Sequence, residues 1–84
     1  MPKKRKVKEI LAERDEQYGD PLYNFERIGI IWAALLDIET IEPYQVALMM
    51  DALKTVRAFN NPEHLDSWHD KLGYTEIGLE ITTA

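Results

Sequence analysis

Apolar residues recur along most of this chain at the three- and four-residue spacing that places side chains on one face of an α-helix. The pattern predicts helices over residues 6–18, 21–36, 43–59 and 63–81. No stretch alternates between apolar and polar residues with turn residues at both ends, so we expect no β-sheet. The predicted fold class is all-α, a compact bundle of about four helices.

Turn and capping residues separate the predicted helices. Gly19 suits the left-handed backbone conformation that commonly ends a helix. Asp20 directly before Pro21 has the order of an N-cap residue followed by proline at the first helical position. A further proline, Pro43, marks the start of the third helix, and the Asn-Asn-Pro run at residues 60–62 marks its end.

The apolar stripes of these helices predict the core. They comprise Leu22, Phe25, Ile28, Trp32 and Leu35 in the second helix, Val46, Met49, Met50, Leu53 and Val56 in the third, and Leu65, Trp68, Leu72, Ile77 and Ile81 in the last. Residues 28–36 are apolar nearly all round, so we expect the second helix to be the most buried one or to be shared with a partner chain. A chain of 84 residues has only a thin core, and we therefore expect a homo-oligomer.

Charge is distributed unevenly along the chain. Residues 1–8 hold five of the ten basic residues and no acidic residue, so residues 9–84 carry five basic and fifteen acidic residues and a net charge of −10. Such an acidic body repels phosphates, which disfavours nucleic-acid binding by it. We divide the chain into a basic N-terminal tail at residues 1–6 and a single helical domain at residues 7–84.

The composition also bears on location. Cysteine is absent, which excludes disulfides and thiolate metal sites. The apolar run at residues 28–36 is about half the length that a membrane-spanning helix needs, and the basic start leads into an amphipathic stretch rather than a secretory signal. We expect no membrane insertion and a cytoplasmic location.

Residues 2–7, Pro-Lys-Lys-Arg-Lys-Val, are identical to the short nuclear-import signal of a polyomavirus large T antigen. An extended cationic run of this kind binds an acidic groove of an import receptor. Three interpretations stay open: an engineered tag, a native basic start, and a genuine import signal. A nuclear location follows only from the last of these.

Charged side chains on the third and fourth predicted helices are expected to face each other, because the short turn between these helices favours antiparallel packing. Asp51, Lys54 and Arg57 follow one another at three-residue spacing on the third helix. Glu63, Asp66 and Asp70 lie on the fourth. One interpretation is an ion-pair clasp that joins the helices, which we favour because such pairs are common at helix seams. The other is a pocket in which Lys54 and Arg57 bind phosphate while the three carboxylates hold Mg²⁺.

The run at residues 7–14, followed by Tyr18-Gly19-Asp20, resembles the start of a family of small bacteriophage and prophage proteins of unknown function. Residues 46–50 and 66–70, with Gly73-Tyr74, extend the resemblance over nearly the whole domain. It implies an all-helical fold and a phage-related origin, and it implies no particular activity.

The spacings Glu13-x-x-Glu16 and Glu63-x-x-Asp66 are similar to the Mg²⁺-binding motifs of MazG-like all-α nucleotide pyrophosphohydrolases, although here two predicted helices separate them. That likeness implies cleavage of nucleoside triphosphates to monophosphates. No Ser-His-Asp or Cys-His arrangement and no glycine-rich phosphate loop is evident, so no catalytic residue is assigned. Three interpretations stay open. The first, which we favour, is a self-associating phage-type helical module that binds a protein or a small ligand, and the second is a Mg²⁺-dependent nucleotide-binding or nucleotide-hydrolysing protein. The third is a purely structural protein whose polar stripes serve packing and solubility.

Overall fold

A computed structural model describes residues 19–83 of the chain as three helices. Helix α1 comprises Pro21–Leu36, α2 comprises Pro43–Asn60 and α3 comprises Leu65–Thr83. No strand occurs within residues 19–83, which confirms the predicted all-α class for this part of the chain. The helix predicted over residues 6–18 and the basic tail at residues 1–6 lie outside the described residues.

Local hydrogen bonding fixes the start of α1. The Asp20 side chain accepts a hydrogen bond of 3.0 Å from the backbone N–H of Leu22, and Pro21 occupies the first turn. Gly19 has the predicted left-handed backbone, with a φ of 81°. Asp37 ends the helix, also in the left-handed region, which aspartate tolerates better than most residues. The predicted start of this helix at Asp20 and Pro21 is confirmed, whereas the helix that Gly19 was expected to end lies outside the described residues.

The turn that connects α2 to α3 is held by side-chain hydrogen bonds, and we call it the tied turn. The indole N–H of Trp68 donates a hydrogen bond of 2.9 Å to the carbonyl oxygen of Pro62, which anchors the turn to the first turns of α3. The backbone N–H of Ser67 donates to the carbonyl of His64, and the hydroxyl of Ser67 lies 3.1 Å from Nδ1 of His64. The Asn-Asn-Pro segment therefore ends one helix and positions the next, as predicted.

Helix α2 lies at the centre of the described fold. It packs along α3 and against α1, whereas α1 touches α3 only slightly. The core cluster consists of Phe25, Val46, Ala47, Tyr74 and Ile77. The rings of Phe25 and Tyr74 pack at a tilt, with centroids 6.2 Å apart. The expectation that α1 is the central and most buried helix is wrong, because α2 and not α1 packs along both of the other described helices. The alternative, that α1 is shared with a partner chain, stays a prediction.

Much of the predicted core is exposed in the described fold. The exposed members of the predicted stripes are Leu22, Leu35, Met49, Leu53, Val56, Leu65, Trp68 and Leu72. Val46 and Leu53 show the physical reason. They are seven residues apart and so lie on nearly the same face of α2, but α1 covers Val46 and leaves Leu53 open.

None of the three described helices is long and apolar enough to cross a membrane.

Gly29 permits the close approach between α1 and α2. It is buried, and a Cβ atom at this position would overlap the carbonyl oxygen of Ile41 and lie 3.5 Å from a methyl group of Val46. The backbone of the connection between the helices therefore occupies the space that a side chain would need. At Gly78 in α3, by contrast, an added Cβ would meet only Cβ of Ala47, at the ordinary distance of 3.4 Å.

We predict that Gly29→Ala lowers the free energy of unfolding by about 1–3 kcal/mol, because α1 must move away from Ile41 to make room for the methyl group. The matched variant Gly78→Ala should be neutral or raise that free energy by up to about 1 kcal/mol, since alanine favours helix without a clash. Urea unfolding followed by circular dichroism measures both. Equal effects of the two substitutions would contradict the packing described for Gly29.

Candidate functional site

Two crossed ion pairs join α2 to α3. Nζ of Lys54 lies 2.9 Å from a carboxylate oxygen of Asp70, and Nζ of Lys71 lies 2.8 Å from a carboxylate oxygen of Asp51. Lys71 also donates to the hydroxyl of Thr55. The four charged side chains are between 17% and 29% exposed, so water screens these pairs only in part. Each helix contributes one cation and one anion to the seam.

The ion-pair interpretation of the seam is confirmed for Lys54 and Asp70. The second pair was missed, because Lys71 follows Asp70 directly and the prediction considered only acidic residues on that helix. The sequence pattern places Asp51 on the same stripe of α2 as Lys54, and only its partner Lys71 was not predicted.

The other predicted site residues are not gathered at this seam. Arg57 is exposed one turn beyond Lys54, and Glu63 and Asp66 are exposed in the turn and at the start of α3. Residues 19–83 contain no group of three or more histidine or acidic side chains that could hold a metal ion. The phosphate role of Lys54 and Arg57 and the Mg²⁺ role of the three carboxylates therefore stay predictions.

The buried polar groups of the described residues also have hydrogen-bond partners within the fold. Ser67 is the one fully buried polar residue of the described part of the chain, and its hydroxyl is hydrogen-bonded to His64. Within residues 19–83 no buried side-chain nitrogen or oxygen lacks a hydrogen-bond partner. These polar contacts join helices and close a turn, which is what a structural seam requires.

An open groove runs between α1 and α3, above the core. We call it the α1–α3 groove. It has a volume of about 600 Å³ and is lined by Asn24, Phe25, Arg27, Ile28, Ile31, Met50 and Tyr74. Most of its lining is apolar, and Arg27 supplies the cation at its rim. The guanidinium of Arg27 lies 5.5 Å from the centre of the Tyr23 ring, which holds this charge close to α1.

The second uncovered surface is a stripe on α2 that consists of Met49, Leu53 and Val56, which we call the α2 stripe. These side chains are 42%, 46% and 62% exposed. Their spacing by four and three residues is that of a seam between two helices. Contiguous exposed apolar surface of this kind is typical of interaction sites, because single domains otherwise keep such patches small.

A smaller apolar groove lies at the turn between α2 and α3. Its volume is about 440 Å³, and its walls include Ala58, Phe59, Pro62 and Trp68. The Phe59 side chain is 88% exposed, which is unusual because phenylalanine is entirely apolar and is most often buried. Sequence reasoning assigned Phe59 no role, because its position near a helix end gave no sign of which way it faces.

The described part of the chain is strongly acidic. Residues 19–83 hold eleven acidic and four basic side chains, a formal net charge of −7. The acids are unevenly placed, since α2 carries none after Asp51 whereas α3 carries Asp66, Asp70, Glu76 and Glu80. The α2 stripe therefore lies on a helix with one acidic side chain, Asp51, and two basic ones, Lys54 and Arg57.

Comparison with known proteins identifies relatives among phages. A family profile described as "Domain of unknown function (DUF6378)" matches residues 4–82. The chain is 37% identical over 68 residues to the Gene 55 protein of Mycobacterium phage L5, an alignment that covers 81% of this chain and 44% of the phage protein. It is 35% identical over 65 residues to the Gene 55 protein of Mycobacterium phage D29, covering 77% of this chain and 42% of that protein.

The predicted resemblance to a family of phage proteins is thereby confirmed. The chain spans less than half the length of the curated relatives that it matches. No solved structure matches the chain.

We predict that a double-mutant cycle of Lys54→Met and Asp70→Asn gives a coupling energy of about 1 kcal/mol, at the upper end for surface pairs because both groups are mostly covered. Urea unfolding of the four proteins measures it. The control cycle, Arg57→Met with Asp66→Asn, involves two exposed residues that form no ion pair within residues 19–83, and its coupling should be close to zero. A Lys54–Asp70 coupling no larger than the control would show that the clasp adds nothing to stability.

Proposed function

We infer that this chain, which belongs to the family described as "Domain of unknown function (DUF6378)", is a helical interaction module of phage proteins that pairs with a second copy of itself through the α2 stripe. The observation that carries this proposal is the joint exposure of Met49, Leu53 and Val56. These three side chains have the pattern of an inner helix face, and no described helix covers them.

Burial of the α2 stripe supplies a favourable free energy for pairing. Apolar surface removed from water contributes about 25 cal/mol per Å². In a two-fold contact each copy presents the same patch, so Leu53 of one copy would pack among Met49, Leu53 and Val56 of the other. A fully covered apolar centre of this kind, surrounded by a polar rim, typically dominates the affinity of an interface.

Charge favours this face over the alternatives. Two copies that each carry a net charge of −7 over residues 19–83 repel each other unless they meet where acidic groups are sparse. Residues 52–60 of α2 contain no acidic side chain and two basic ones, Lys54 and Arg57. Lys54 is held by Asp70, whereas exposed Arg57 lies beside the stripe and can face a carboxylate of the other copy.

The nucleotide alternative gains no support from the described residues. Lys54, its leading phosphate ligand, is paired with Asp70 at 2.9 Å. The predicted metal ligands Glu63, Asp66 and Asp70 are not grouped as a centre within residues 19–83. The interaction module is therefore the better supported of the two functions.

We predict that the protein sediments as a dimer and that Leu53→Glu converts it to a 9.8 kDa monomer. A buried carboxylate at the centre of the contact costs at least about 2 kcal/mol, so the dimer dissociation constant should rise roughly 30-fold or more. Sedimentation equilibrium over a wide range of protein concentration measures the constant. Circular dichroism checks that the variant keeps its helices.

The matched control is Leu48→Glu, the same substitution on the same helix. Leu48 is 62% exposed, more than Leu53 at 46%, but it lies on a different face of α2, beside Tyr44 and Leu79. It should leave the dimer constant unchanged. A monomeric parent protein at every concentration, or equal weakening by both substitutions, would contradict pairing through the α2 stripe.

A further inference from the structure

Helix α3 carries two rows of side chains, each with the alternating three- and four-residue spacing of a helix–helix seam. The inner row faces the core and α2, and it consists of Ser67, Asp70, Tyr74, Ile77 and Ile81. The outer row repeats this spacing two residues earlier; its members are Leu65, Trp68, Leu72, Thr75, Leu79 and Thr82, and we call it the α3 stripe. Two residues turn the side-chain direction by about 200°, so the α3 stripe lies on the side of α3 away from the core.

The described fold leaves the α3 stripe open along the whole helix. Its four apolar side chains, Leu65, Trp68, Leu72 and Leu79, are between 47% and 54% exposed, and its two threonines are exposed as well. Side chains at such positions are the anchors by which one helix packs on another. The inner row has its partner in α2, whereas no described helix packs on the outer row.

Trp68 is suited to anchor a docked helix. Its indole N–H already donates to the carbonyl oxygen of Pro62, so a partner that covers the ring leaves no buried donor unsatisfied. The ring also lines the smaller apolar groove at the turn, together with exposed Phe59. An apolar side chain that enters this groove would be enclosed by aromatic surface, the kind of pocket in which the binding energy of an interface is concentrated.

The charges beside the α3 stripe indicate the chemistry of the partner. The Asp70-Lys71 dipeptide is held by the two ion pairs with α2. The other charged side chains of α3 are all acidic: Asp66, Glu76 and Glu80. Glu76 directly follows Thr75 of the stripe, Glu80 lies one turn further on the same side, and neither forms an ion pair within residues 19–83. A helix with basic residues along its edge would supply the missing cations.

The same charges argue against a second copy as the occupant. Two α3 helices placed stripe to stripe would bring the Glu76 side chains of both copies to one interface. In a parallel pair, Glu76 would face Lys71 of the other copy, but Lys71 is already bound to Asp51 and Thr55. Self-pairing at this face would therefore break an existing contact or leave acidic groups without cations.

We propose that the α3 stripe binds an amphipathic helix of another protein, one whose apolar residues have heptad spacing and are flanked by lysine or arginine. This inference goes beyond pairing through the α2 stripe and does not depend on it, because the two stripes lie on different helices and share no residue. Leu72 lies at the middle of the α3 stripe, and Trp68 forms its anchor beside the turn.

Two synthetic helical peptides of about 18 residues, the length of the α3 stripe, test the proposal on the full chain. One has leucine at the two apolar positions of each heptad and lysine at the flanking positions, which also keeps it from pairing with itself. The other has glutamate in place of lysine. Isothermal titration calorimetry measures both dissociation constants, and we expect the lysine peptide to bind at least about tenfold more tightly.

Matched variants locate the contact. Leu72→Glu should weaken binding of the lysine peptide at least about tenfold, because a carboxylate then enters the apolar stripe. Leu35→Glu adds the same charge at a 78% exposed position of α1 and should leave the dissociation constant unchanged. Glu76→Gln should weaken binding severalfold, whereas Glu39→Gln, before α2, should not. Circular dichroism checks the fold, and Leu79→Glu is the substitute for Leu72→Glu if that variant loses its helices.

Several results would overturn the proposal. They are the absence of binding by either peptide, equal affinity for both, and equal weakening by Leu72→Glu and Leu35→Glu. A dimer that Leu72→Glu dissociates in sedimentation equilibrium would also overturn it, because a second copy would then occupy the α3 stripe. A monomeric parent protein would contradict pairing through the α2 stripe and leave the peptide test unaffected.

Discussion

Contact between α1 and the backbone at Ile41 determines which parts of the molecule are covered. Because Gly29 has no side chain, α1 lies directly against that carbonyl group and against Val46 in the first half of α2. Val46 becomes fully inaccessible, whereas Leu53, two turns further along the same face, has no such cover. The open stripe on α2 and the groove beside Tyr74 are both consequences of where α1 crosses its neighbour.

Apolar burial and polar pairing have different roles in this small fold. The described core contains only seven buried hydrophobic residues, and the largest fully buried side chains among them are Ile77 and Val46. Burial of such side chains supplies most of the favourable free energy. The crossed pairs of Lys54 with Asp70 and of Lys71 with Asp51 contribute less, but they orient α2 and α3 about their own axes.

Helix boundaries could be predicted from sequence because short-range contacts decide them. The Asp20 cap and the prolines at 21 and 43 act within one turn of the chain, and α1 begins and ends where the pattern placed it. Helix facing could not be predicted in the same way. Residues 28–36 are apolar on nearly all sides, so periodicity does not distinguish the face that meets α2 from the faces that do not.

In the candidate site, too, some features could be predicted from the sequence and others could not. The Lys54–Asp70 pair followed from residue spacing and a short turn, both of which the sequence displays. Exposure of the α2 stripe depends on how much of α2 is covered by α1. The tertiary packing of the helices determines that coverage, and the local sequence does not show it. The pattern of Met49, Leu53 and Val56 is that of a buried face, and only the arrangement of the helices reveals that it is open.

The tied turn between α2 and α3 has a consequence for how copies of the chain can combine. Each of these helices presents one cation and one anion to the other, so the α3 of another molecule would satisfy the seam equally well. Exchange of α3 between molecules requires the turn to straighten, and straightening breaks the hydrogen bond from Trp68 to Pro62. The indole contact is therefore one of the interactions that oppose domain swapping and keep each hairpin folded on itself.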